Sequence, residues 1–213
     1  VLVTVMMVVF GWLAGWYLQG HSISSWRDSN YFTNPFRVGF LVFLVIETVI
    51  IILYTPGTAQ LTDENARSWY HWRLVMWETL LVLVVFSDCM GILPIGMGSS
   101  PRWIGTALLL GGLLIYACAG ASRRAELKRD PGKLFPTGRI FKGLRFPETL
   151  AALLNAFGTA LVFNAWAGLF IAIVSIFIVA GFVNAQDKSM LKTFRSPWAE
   201  YQAHSKRIIP FIW

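Results

Sequence analysis

Long apolar windows alternate along this chain with short polar stretches that carry proline or glycine. The first window runs from Val1 to about Gln19, with Trp12, Trp16 and Tyr17 gathered at its end, where aromatic residues favour a membrane–water interface. A polar link, 20–36, contains Ser22, Ser24, Ser25, Asn30 and Asn34. The second window runs from Arg37 to about Tyr54 and stops at the breaker Thr55-Pro56-Gly57. A loop with Asp63, Glu64 and Arg67 leads to the third, Arg73 to about Ile95. The fourth starts after Ser99-Ser100-Pro101 and runs to Ala121, with Pro101 suited to a first helical position. Its Gly111-Gly112 pair predicts close approach of another helix. The stretch Ser122–Pro147 holds Pro131-Gly132 and Pro136-Thr137-Gly138 and reads as a long loop, not one helix.

The apolar run from Glu148 to Gln186 dips in polarity at Asn164 and reads as a helical hairpin of segments 148–163 and 167–186. The first arm has 16 residues, about 24 Å of helix, so it either stops short of a full crossing or has deep ends. In the tail, Asp187–Pro210, the residues Leu191, Phe194, Trp198 and Tyr201 recur at spacings of three, four and three. That periodicity places them on one helical face, with Lys188, Lys192, Arg195 and Glu200 elsewhere. Ser196-Pro197 has the form of a cap and first-turn pair that restarts the helix. The tail is thus predicted to be an interfacial amphipathic helix that closes the bundle and forms one wall of a pocket at the membrane surface.

Composition agrees with this pattern. The 213 residues are 56% hydrophobic, with a mean hydropathy of +0.58, and only 14% are charged, against roughly 25% in soluble domains. Apolar windows of about 20 residues match about 30 Å of hydrocarbon. The predicted fold is all-α: a polytopic transmembrane helical bundle of about six membrane segments, the last two a hairpin. It is one integral membrane domain, 1–213, with a four-helix N-terminal part, 1–121, and a C-terminal part, 138–210. The chain opens on Val1, and its natural start is expected upstream. The first apolar run is too long for a signal-peptide core and lacks a small-residue cleavage site, so it is expected to remain as a helix.

Charge placement changes the meaning of the +7 net charge. With six segments, the loops 56–72 and 122–147 share a side with the tail. That side holds 15 of the 18 Lys and Arg residues, leaving Arg27, Arg37 and Arg102 opposite. The asymmetry predicts that the long loop and the C-terminal tail are cytoplasmic, and that the basic residues contact membrane lipid, not nucleic acid.

Three acids fall inside apolar segments: Glu47, Glu78 and Asp88. Each costs about 2.5–3.5 kcal/mol at mid-membrane, so each should have a partner or water. A local ion pair or hydrogen bond between helices is the simpler role; a proton path or substrate contact is the alternative. His21, His71 and His204 share no metal-ligand spacing, and no metal site is predicted. Cys89 and Cys118 read as small packing residues. No phosphate-binding glycine loop, nucleophile elbow or paired-carboxylate motif occurs.

The order of features over 138–210 resembles the membrane-bound isoprenylcysteine carboxyl methyltransferase family. Its superfamily includes phospholipid methyltransferases and membrane sterol and steroid reductases. The family pattern is a Gly-led loop, Arg-His-Pro-x-Tyr-x-Gly, a helical hairpin, a Glu-Glu pair, Phe-Gly-x-x-Tyr-x-x-Tyr, and a closing Ile-Pro. Here Gly138 leads the loop, Arg145 and Pro147 match the Arg and Pro, and Gln186-Asp187 stands at the acidic pair. Phe194 follows Asp187 by seven residues, Trp198 and Tyr201 fall at the two tyrosines, and Ile209-Pro210 closes the pattern. Phe146, Thr149, Ala151 and Gln186 replace the motif's His, Tyr, Gly and first acid.

The resemblance implies an S-adenosylmethionine-dependent methyltransferase acting on a lipid-anchored or lipid-like substrate. Gly138, Arg145, Pro147, Asp187, Trp198 and Tyr201 would bind the cofactor. Arg145 would also have the catalytic role of orienting an anionic group, and Asp187 would accept from a cofactor amine or hydroxyl. Two alternatives remain. The altered motif suits an inactive descendant serving as an accessory subunit among other membrane protein subunits. The tail also resembles sterol reductases, which use NADPH; Arg139, Lys142 and Lys206 would then meet its phosphate.

Overall fold

The computed structural model describes residues 34–54, 77, 79–86, 99–130 and 135–208. Outside them lie the first apolar segment, the loop 56–72, Glu78, Asp88, Cys89, His21, His71, Pro131-Gly132 and Ile209-Pro210. The described residues are mostly helical, with no strand among them. The labelled helices are α1 (Pro35–Tyr54), α2 (Ser100–Arg129), α3 (Ile140–Gly143), α4 (Pro147–Val162) and α5 (Trp166–His204). Residues 79–86 form a further helical stretch.

α1 begins where Asn34 caps it. The Asn34 Oδ1 accepts from the Phe36 N–H at 3.0 Å, the usual role of an N-cap amide, and Pro35 occupies the first turn, where its missing N–H costs nothing. α2 starts with Pro101 in its first turn, as expected, but does not stop at Ala121. It runs through Ser122–Arg129, which the apolar pattern assigned to the long loop. Ala125, Glu126, Leu127 and Lys128 are good helix formers, so loss of hydropathy there ends the apolar face and not the helix. The break comes at Asp130, which leaves the helical conformation with φ −136° and ψ 88°; proline follows it and disfavours a helical residue there.

α2 and α4 approach each other closely. A Cβ on Gly105 would lie 2.7 Å from the Gly158 carbonyl, and one on Gly158 would lie 2.9 Å from the Gly105 carbonyl. Seven residues along α2, a Cβ on Gly112 would collide with Asn155 Oδ1 and come within 2.9 Å of the Ala151 carbonyl. Of the Gly111-Gly112 pair, only Gly112 is used in this way, since Gly111 has nothing within 4 Å.

α4 and α5 form the predicted hairpin through a three-residue turn, 163–165. The Ala165 N–H bonds to the Ala160 carbonyl and the Asn164 N–H to the Leu161 carbonyl, both at 3.1 Å. Asn164 has φ 55°. This is the Schellman arrangement, in which a left-handed residue just past the helix satisfies its last carbonyls, and asparagine tolerates that conformation. The polar dip in the sequence is therefore the turn itself.

One hydrophobic core joins Phe40, Phe43 and Leu44 of α1 to Leu80, Leu81, Val84 and Val85, and to Leu109, Val162, Phe163 and Ala172. Phe40 meets Phe163 edge-on at 4.9 Å between centroids. The outward faces are also apolar: Val42, Leu114, Phe170 and Phe177 are exposed. Ser100–Glu126 and Trp166–His204 are long and apolar enough to cross a membrane. Cys118 lies on an exposed face of α2 and not in the packing.

α5 is broken at Arg195, with φ 47° and ψ −120°, two residues before Pro197, as the Ser196-Pro197 pair predicts. The single-face reading of the tail is corrected at its first residue: Trp198 is buried and Phe194 and Tyr201 pack beside it from either side of the break, whereas Leu191 is exposed.

Candidate functional site

The loop 135–146 is fastened at both ends. At its start, the Glu126 carboxylate near the end of α2 accepts from the backbone N–H groups of Thr137 and Gly138 at 3.1–3.3 Å. At its end, the loop pairs with the tail. Leu144 and Lys206 form a parallel bridge, with Arg145 N–H donating to Lys206 O at 2.7 Å, Phe146 N–H to Arg207 O at 3.1 Å, and Lys206 N–H to Gly143 O at 3.0 Å. The Tyr201 hydroxyl adds a bond to the Phe141 carbonyl at 2.6 Å. Loop and tail therefore meet on one face, as the sequence order implies.

This pairing sets Arg145 against α5. Its Nη2 donates to Asp187 Oδ2 at 3.1 Å, and its Nη1 donates to the carbonyls of Gln202 and Ser205 at 3.0 and 2.8 Å. The last two are carbonyls at the C-terminal end of α5, which lack helical partners and favour a cation. Both side chains of the ion pair are buried, 6% and 4% exposed. Burying a charge pair is costly unless further hydrogen bonds satisfy it. A second arginine contributes here: Arg207 Nε lies 3.1 Å from the same Asp187 Oδ2, and its Nη1 donates to Asn184 Oδ1 at 2.9 Å.

Beside this ionic set is an aromatic one. Trp198 is buried and meets Phe135 edge-on at 4.9 Å, Tyr201 at 5.3 Å and Phe146 at 6.4 Å between centroids. Phe146 is itself buried with Val179, Phe182, Val183 and Ile208. Across these two adjoining sets, three buried polar atoms have no hydrogen-bond partner among the described residues: Arg145 Nε, Asp187 Oδ1 and Trp198 Nε1.

Of the residues singled out in the sequence, Arg145, Asp187, Trp198 and Tyr201 come together. Gly138 lies at the loop's first anchor, held by Glu126. Pro147 is buried in the first turn of α4. Among the motif departures, Phe146 belongs to the site and Thr149 is buried one turn into α4. Ala151 instead faces Gly112 in the α2–α4 contact. Gln186 is half-buried beside Asp187. Arg207, Asn184, Ser205 and Glu126 were not anticipated. Arg207 looks like any of the tail's topology-setting charges, and Gln202 and Ser205 contribute through backbone carbonyls, which no side-chain motif reports. Comparison with protein-family models and with curated proteins finds no match for this chain.

Proposed function

We propose that this chain is a multi-pass membrane protein of about six segments, with a site of S-adenosylmethionine-dependent methyltransferase type at its cytoplasmic face, acting on a lipid-anchored or lipid-like substrate. The observation that carries the reading is the set of buried polar atoms without partners among the described residues: two donors, Arg145 Nε and Trp198 Nε1, and one acceptor, Asp187 Oδ1. Buried polar groups are almost always hydrogen-bonded, so a cluster of three invites a polar ligand. Two donors and an acceptor suit a zwitterionic amino-acid group, with its carboxylate toward the donors and its ammonium toward Asp187.

The bound cofactor would supply an electrophilic methyl group. The chain's own part is positioning. Arg207 and Arg145 fix the Asp187 carboxylate in place, Glu126 and Tyr201 anchor the loop, and the aromatic set excludes water. The apolar outer faces of α1, α2 and α5 suit a substrate that arrives through lipid.

One observation favours the second reading, an inactive accessory subunit. The Phe146 ring stands at the motif's histidine position and is packed with Trp198, and both terminal nitrogens of Arg145 are already engaged.

Calorimetry on the purified protein in detergent, with S-adenosylmethionine and NADPH as parallel ligands, separates the readings. Micromolar binding of the first, weakened about ten-fold or more by Asp187→Asn and equal or better in Phe146→His, is expected. Binding of NADPH alone would favour a reductase, and binding of neither by folded protein would favour the accessory subunit.

A further inference from the structure

A cavity of about 130 Å³ opens between α1, α2, α4, α5 and the stretch containing Trp77 and Leu80. That volume is close to the roughly 150 Å³ of a cavity that holds benzene, so it suits the head of a lipid-like molecule, not a whole lipid. Most of its wall is apolar, and the charged side chains on it are Glu47 and Glu148.

The two acids differ. Glu148 is paired with Arg123. Glu47 forms no ion pair with any described residue; its bond is to Asn155 Nδ2, donated at 2.7 Å to Oε1. Asn155 is buried in α4 and seated where Gly112 leaves room for its side chain. The bundle thus combines a glycine on α2 with an amide on α4 to orient one carboxylate of α1. The amide occupies Oε1, which leaves Oε2 for a ligand, and Asn155 Oδ1, buried and without a partner among the described residues, is a second acceptor beside it. An ionised carboxylate in an apolar bundle costs several kcal/mol without a counter-charge, and a cationic ligand would supply one.

We infer that this cavity binds the head of a lipid-like amine, with its ammonium on Glu47 and the first carbons of its chain against the apolar wall. The cavity also shares Leu153 and Val179 with the cluster around Phe146 and Trp198, so it adjoins the Arg145–Asp187 site. Its role as the methyl-acceptor pocket rests on the methyltransferase reading; amine binding by Glu47 does not.

The test is equilibrium binding of dodecylamine and of dodecan-1-ol, its neutral counterpart, to the full chain in nanodiscs, above binding to empty discs. The amine should bind saturably and about ten-fold tighter than the alcohol. Glu47→Gln should remove that preference and leave alcohol binding in place, while Glu148→Gln should keep it. Equal binding of the two ligands, or an amine preference that survives Glu47→Gln, would overturn the assignment. If Glu47→Gln does not fold, Ala152→Phe, which fills the cavity, decides: lost amine binding supports the site and retained binding rejects it. Asp187→Asn should weaken S-adenosylmethionine without affecting the amine, so the two readings fail separately.

Discussion

Asp187 is the residue on which the loop–tail site depends. One carboxylate oxygen receives both Arg145 and Arg207, so removing its charge leaves a buried guanidinium uncompensated. Breaking a buried pair from one side typically costs about 3–5 kcal/mol. Asp187→Asn should therefore lower stability by about that amount, read as a lower midpoint in chemical unfolding of the detergent-solubilised protein. A smaller loss, within about 1 kcal/mol as for exposed pairs, would mean that Arg145 is held chiefly by the carbonyls of Gln202 and Ser205. Arg145 and Asp187 stood out in the sequence because each occupies a marked place in an ordered pattern. Their pairing across 42 residues was not legible, since an acid and a base far apart in sequence carry no mutual signal. Glu47 shows the same limit: an acid inside an apolar segment announces that it needs a partner, but Asn155, 108 residues away, does not announce that it is the partner.

At the scale of the element, α2 and α4 meet through small residues. Gly105, Gly112 and Ala119 recur every seven residues along α2 and are buried. That spacing was readable, though the adjacent Gly111-Gly112 pair was the more conspicuous feature. The two glycines of the pair should respond oppositely to alanine. Gly112→Ala forces a methyl group into Asn155 and the Ala151 carbonyl, and overpacking of this kind costs about 1–3 kcal/mol. Gly111→Ala meets nothing within 4 Å, and should stabilise the helix by roughly 0.5–1 kcal/mol through lost chain entropy. Thermal unfolding of the two variants side by side checks the contrast; equal effects would contradict the contact. Element ends were legible where backbone chemistry sets them, at Asn164 and Ser196-Pro197, while the start of α1 was set at Arg37 and the Asn34 cap was passed over as part of a polar link. The end of α2 was not, because hydropathy reports where a helix leaves apolar surroundings, not where its hydrogen bonding stops.

For the whole molecule, the hairpin and the loop–tail pairing make a prediction about sidedness. From Trp166 to Asp187, α5 rises about 32 Å, close to the hydrocarbon thickness of a bilayer. The hairpin tip and the Asp187 site should then lie at opposite surfaces. In a background with Cys89 and Cys118 replaced by serine, cysteines introduced at the exposed positions Lys142 and Lys192 should react with an impermeant maleimide from the same side. One at the exposed Ala167 should react from the other. Labelling of all three from one side would mean that the hairpin does not cross.

By itself, the sequence determined the helical class, the apolar character, the hairpin with its turn at Asn164, the break before Pro197, and the pairing of loop with tail on one face. These follow from periodicity, from backbone preferences of proline and asparagine, and from the cost of burying polar groups, all of which act locally or on average composition. Tertiary structure decided the rest: that Arg207 joins Arg145 on Asp187, that Gly112 makes room for Asn155, and that Asn155 orients Glu47 at the edge of a cavity. Such contacts depend on which helix faces meet and at what distance, and that is settled by packing among segments far apart in the chain.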